Sequence, residues 1–152
     1  MMRLAYALLA ACLACGVAVA QPLEQKSRTK ITVQDGKNVT VTGCVHRTPE
    51  GGLMLTHAAG KDGAVGSYIL AALEGEDDEL EDLGEHVGHR VEIKGKAADQ
   101  GEGRIRIATK NEVRTPDGEK AKTESRSEMK GDLKGLPYLG VDSVRMLATV
   151  CP

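Results

Sequence analysis

The chain contains no phenylalanine, no tryptophan and only three tyrosines in 152 residues. One of these, Tyr6, falls in the leader described below, which leaves Tyr68 and Tyr138 to a folded domain. A core of Val, Ile, Leu, Met and Ala still packs well without aromatic rings. What is lost is the stacking platform on which barrels that bind single-stranded nucleic acid hold their bases. An excess of one charge is missing too: 20 Lys and Arg stand against 22 Asp and Glu, a formal net charge of −2. That balance argues against a nucleic-acid or membrane-surface partner. No apolar run reaches the ~20 residues that span a bilayer, so no membrane span is expected.

What is present begins with an address. MMRLAYALLAACLACGVAVA carries one charge, Arg3, then an apolar stretch closing on Ala18-Val19-Ala20 before Gln21-Pro22. A basic start, an apolar middle and small residues at −3 and −1 predict a secretory signal peptide over residues 1–20. Leu9-Ala10-Ala11-Cys12 also has the form of a lipoprotein box, with Cys12 as a lipid-anchored N-terminus. The apolar run before Cys12 is shorter than the ~7–15 residues of a signal core, so soluble export is preferred. The expected location is periplasmic or secreted. Cleavage removes Cys12 and Cys15 and leaves Cys44 and Cys151. A lone pair in an exported protein predicts a disulfide, the alternative being two unrelated thiols. That bond closes a loop of over a hundred residues, worth up to ~4.7 kcal/mol in the chain-entropy model.

Past the leader, residues 21–37 are polar and read as a flexible N-terminal arm, in which Ile31 and Val33 add at most a short strand. From Asn38, Val39, Val41, Gly43 and Val45 alternate with polar residues, a half-buried strand. Pro49 to Gly52 turns the chain, and Leu53–Thr56 returns as a second strand. A glycine-rich loop over 60–66 precedes a third strand at Ser67–Ala71. Leu80, Leu83 and Val87 mark one face of a short helix with acids gathered at its start. Val91, Ile93, Gly95 and Ala97 make a fourth strand, Ile105 and Ile107 another, and Val144–Cys151 the last. Between them, residues 115–134 hold almost no large apolar side chain and read as a flexible insertion. The expected fold is all-β, a small OB-like barrel spanning 38–152 with one short helix between strands 3 and 4. An open sheet or a sandwich is the competing arrangement. Gly43 and Gly95 suit the bends and close approaches of a small barrel.

Thr42-Gly43-Cys44-Val45, Leu53-Met54-Leu55-Thr56, His86-Val87-Gly88-His89-Arg90-Val91-Glu92-Ile93-Lys94-Gly95 and Ser143-Val144-Arg145-Met146 with Cys151-Pro152 form a pattern. It resembles small secreted bacterial proteins of uncharacterised role, similar in outline to periplasmic bacterial OB-fold proteins. The resemblance implies export and a β-barrel; it carries no activity and no catalytic residues.

Chemistry-bearing residues are few. Cys44 and Cys151 lie on the parity opposite the valines of their strands, pointing outward unless a bulge at Gly43 shifts the phase. His46 shares a face with Cys44, but no oxyanion donor or orienting residue accompanies it, so no catalytic site and no enzyme are expected. His46, His86 and His89 are weak candidates for a metal, because Gly88 breaks any rigid spacing between the last two; no cofactor is expected. The acids from Glu74 to Asp82 lack the pattern of a calcium loop. Lys94, Lys96, Arg104, Arg106 and Arg114 read as the one basic surface, the ordinary outer face of strands. The function expected is a non-enzymatic binding or structural module of the bacterial envelope, its partner an unidentified envelope protein or small ligand. A periplasmic metal-binding or thiol-redox protein built on Cys44 and nearby histidines is the alternative.

Overall fold

A computed structural model describes residues 24–61, 63–76 and 78–152; the leader, with Cys12 and Cys15, lies outside the described residues. The described chain is all-β. In order it runs β1 (Glu24–Asp35), β2 (Lys37–Arg47), β3 (Leu53–Gly60), β4 (Gly63–Leu73), α1 (Asp78–Leu83), β5 (Arg90–Ala97), β6 (Gly103–Arg114), β7 (Lys120–Gly131) and β8 (Tyr138–Ala148). These strands share one sheet in the order β3-β2-β5-β8-β4-β1-β6-β7, and β3 also pairs with β4. β4 runs parallel to β8 and to the end of β1. The short helix therefore sits between the fourth and fifth strands and not between the third and fourth. The difference comes from Glu24–Asp35, which is a full strand.

The helix forms where expected and stops sooner. Asp78, Glu79 and Glu81 occupy its first turn, where the helix dipole favours them. Leu83 is buried and Leu80 packs against the main core. A single 3-10 turn over Gly84–His86 follows, so Val87 leaves that face and is exposed.

Two apolar clusters hold the sheet. The larger draws Val41 and Val45 from β2, Leu55 from β3, Tyr68 from β4, Ile93 from β5 and Leu139 from β8. The smaller joins Val33 of β1 and Ile105 of β6 to Ala71, Ala98 and Leu133. Inward alternation breaks once in β3, at His57, whose φ of 51° puts an extra residue into the strand. Leu53 and Leu55 point inward before it and Ala58 after it, a shift of phase that a β-bulge produces. In β8 the buried residues are Leu139–Val141. Met146, Leu147 and Val150, read from their spacing as part of an alternating strand, are exposed.

The expected arm and insertion are the clearest departures. Residues 24–35 pair along β6, and Lys120–Gly131 pair along its other side from Arg114↔Lys120 to Gly103↔Gly131. Neither segment buries much; each is ordered by its ladder. The turn between β6 and β7 is tight, with Gly118 at φ 86° and Thr115 N–H donating to Glu119 O at 2.9 Å.

Glycine is required where β5 meets β8. A Cβ at Gly95 would overlap the carbonyl oxygen of Gly140, and one at Gly140 would stand 2.7 Å from Val33 Cβ. Gly95→Ala is expected to lower stability by about 1–3 kcal/mol, the usual cost of overpacking. Gly84→Ala, whose new methyl meets only Arg47 at 4.0 Å, is the control. Denaturant titration of both variants checks this, and equal midpoints would count against the close approach.

Candidate functional site

Cys44 and Cys151 are joined, with Cα atoms 5.9 Å apart across a sequence separation of 107. Cys44 sits in β2 on the parity opposite Val41 and Val45 and is nonetheless buried. The bond holds the segment after β8 against that outward position. A bonded Cys44 has no thiolate to offer as nucleophile or ligand.

The histidines gather only in part. Gly88 N–H donates to Val45 O at 2.8 Å and Val45 N–H to His89 O at 3.2 Å, which fastens the 86–89 turn to β2 beside Cys44. Within that turn the Nδ1 atoms of His86 and His89 are 3.5 Å apart. His46 is exposed on β2, its register partner Met54. Among the described residues no group of three or more His, Cys, Asp or Glu side chains is arranged to hold a metal ion.

Sequence reasoning missed a cleft of about 810 Å³ at the other end of the β2–β5 pair. Lys37 and Lys61 contribute to its lining, with Lys94 and Lys96 from β5 and Asp142 as the one acid. Lys96 Nζ also reaches Asp35 Oδ1 at 3.6 Å. Lys94 and Lys96 alternate with inward Ile93 and Gly95, so they belong to the outer face of β5. Arg104, Arg106 and Arg114 stand on another strand, β6, and Asp35 lies between the two sets, in reach of Lys96 and opposite Arg104. The signal for the cleft was the Lys94-Gly95-Lys96 triplet, but no spacing rule brings Lys37 and Lys61 to it.

Beside the cleft lies a small buried polar group. Gln100, which lines the cleft, donates from Nε2 to Tyr68 Oη at 2.8 Å, and Tyr68 is fully buried. Burial foremost, then the neighbouring Asp99 charge, pushes the Tyr68 phenol up. Burial also pushes the Asp99 carboxyl above the ordinary aspartate range, and its Oδ1 has no hydrogen-bond partner. No family model, curated protein or solved structure matches the chain.

The raised Asp99 carboxyl sets the sign of a pH effect. Its ionised form is disfavoured in the folded state, so a penalty stands above the folded pKa and is relieved as pH falls through it. Asp99→Asn is expected to raise the urea midpoint at about pH 7 and to leave it unchanged at about pH 3, where both forms are neutral. A variant that is less stable at neutral pH would show that the carboxylate is needed.

Proposed function

We propose that this chain is an exported, non-catalytic binding or structural module of the bacterial envelope, with β2, β3, β4, β5 and β8 forming an OB-type barrel. The pairing order supports the barrel. β2 pairs with β3, β3 with β4, β4 in parallel with β8, β8 with β5, and β5 again with β2. With β1 set aside, the helix between β4 and β5 occupies the place the OB pattern gives it.

The observation that carries export is the Cys44–Cys151 bond, because such bonds persist in oxidising compartments. It suits a domain whose last strand is half exposed, and it leaves the chain no free thiol after leader cleavage. For a ligand, four lysines against one acid, Asp142, in the lining of the cleft favour an anion. Among the described residues no helix is long and apolar enough to cross a membrane.

Intact mass of the protein recovered from the envelope fraction is expected to begin at Gln21 and to be two protons lighter than the reduced form. Reduction should cost about 2–4 kcal/mol of stability. A retained leader with an alkylatable Cys44 would overturn the reading. For the cleft, titration of inorganic pyrophosphate into isotope-labelled protein should shift the amides of 37–41 and 94–96. Shifts confined to other surfaces would remove the cleft from the account.

A further inference from the structure

We infer that the ribbon formed by β1, β6 and β7 is a docking surface for a linear anionic polysaccharide lying along its strands. The inference rests on a different observation from the cleft: a complete separation of charge between the two faces of the ribbon.

Strand register places alternate residues on opposite faces. On one face β1 presents Lys26, Arg28 and Lys30, and β6 presents Arg104, Arg106, Lys110 and Arg114. On the same face β7 presents Lys120, Lys122, Arg126 and Lys130. The carboxylates there are Glu24, Glu112, Glu124 and Glu128, with Asp35 opposite Arg104 at the end of β1. Eleven of the chain's 20 basic residues thus meet five of its 22 acids on one surface, an excess of six positive charges. The opposite face carries no ionisable group. Its register rows are Ser27–Asn111–Thr123, Thr29–Thr109–Ser125, Ile31–Ile107–Ser127 and Val33–Ile105–Met129.

Local ion pairs neutralise part of the basic face. Glu124 meets Arg126 at 2.8 Å, Glu128 meets Arg104 at 3.6 Å and Glu112 meets Lys122 at 4.0 Å. Glu74, at the end of β4, reaches Arg106 at 3.4 Å. Even with Glu74 counted, the cations exceed the acids by five. The face is also concave, enclosing about 530 Å³ between Arg28, Lys30, Arg106, Lys110, Glu124 and Arg126.

Shape and chemistry select the occupant. Twelve-residue strands at ~3.3 Å per residue make a stripe about 40 Å long, and three strands make it only about 10 Å across. A long, narrow cationic trough matches an extended polyanion better than the broad plane of a lipid surface. The face has no apolar side chain larger than Ala108 to insert between lipids. It has no aromatic ring to stack on a base. Charged groups repeated along a flexible glycan need neither. The uncharged face opposite sets the orientation, since only one side attracts the polymer.

The test is binding of the exported, oxidised protein to polygalacturonate and to dextran sulfate, with neutral dextran, duplex DNA and phosphatidylglycerol vesicles alongside. Both anionic polysaccharides should bind, with affinity falling steeply as salt rises, and neutral dextran should not. Arg28→Gln, Lys110→Gln and Arg126→Gln combined should weaken binding roughly ten-fold or more, as expected when several fixed charges along a polyanion are lost. Arg47→Gln, Arg90→Gln and Lys134→Gln combined, the same charge change elsewhere, should leave it unchanged. Thermal unfolding of both triple variants separates lost binding from lost folding. Tighter binding to duplex DNA or vesicles than to either polysaccharide overturns the inference, as does equal loss in the two triple variants. Failure here leaves the disulfide and cleft experiments standing.

Discussion

β6 is the strand on which half of the molecule depends. It carries β1 along one side and β7 along the other over their full lengths, and these neighbours have little else to hold them. β7 buries almost nothing, with Met129 as its one partly buried large apolar residue. β1 is anchored only near its end, where Val33 enters the smaller core and Thr32 and Val33 pair with Ala72 and Leu73. The ribbon therefore rests on main-chain hydrogen bonds, and cross-strand pairs add a few tenths of a kcal/mol each. The opposite regime governs β2, β3, β4, β5 and β8, where interlocked Val, Ile and Leu exclude water. Ile105 joins the two regimes, because it lies in the smaller core and in the strand that bears the ribbon.

Charge follows the same division. A net charge of −2 describes no surface of this protein. It is the sum of a strongly basic face on the ribbon and an acidic remainder that includes the 74–82 run and the start of α1. Screening limits each charge to its neighbours within roughly 8–10 Å at ordinary salt, so a ligand meets a face and not the total. A total near zero therefore does not measure what any one face attracts, whereas the lack of aromatic rings holds for each face separately.

Much of the sheet outside the ribbon was legible. Alternation along Val39–Val45 and Val91–Ala97 marked two strands, and scarce cysteine after an expected leader pointed to the Cys44–Cys151 pair. Those signals are local, or depend on compartment. β1 and β7 escaped because a strand held by its ladder need not alternate apolar and polar residues. The available clue was Thr115-Pro116-Asp117-Gly118, a turn sequence whose glycine does take a positive φ, lying between Val113 and Ala121. Read as a hairpin, it would have turned the polar insertion into β7 and placed its lysines beside those of β6. The bulge at His57 had no comparable sign, since a histidine with positive φ is rare and nothing nearby requires it. The cleft joins residues from six separated segments, of which only the Lys94-Gly95-Lys96 triplet was legible.

The cations of the ribbon have one competing explanation, that they keep exposed strand edges from pairing with other chains. Lysine at an edge does serve that end, and β7 is an edge strand with Lys120, Lys122 and Lys130. The outer part of β1, which pairs only with β6, is an edge as well. β6 is not. Both of its sides are hydrogen-bonded along the whole ribbon, and it has no free edge to protect. Arg104, Arg106, Lys110 and Arg114 on this central strand therefore lie outside that explanation. Register sets each of them opposite one carboxylate, Asp35, Glu128, Glu124 and Glu24 in turn, and three of them opposite a cation as well, where repulsion acts, as in the Arg28–Lys110 pair. The uncharged face is occupied by the smaller core around Val33, Ile105 and Met129 and is clear of it only from the Thr29–Thr109–Ser125 row outward. Along that outer stretch the opposite face carries Ser, Thr, Asn and Gln and no core, so burial does not account for the gathering of cations on one side there.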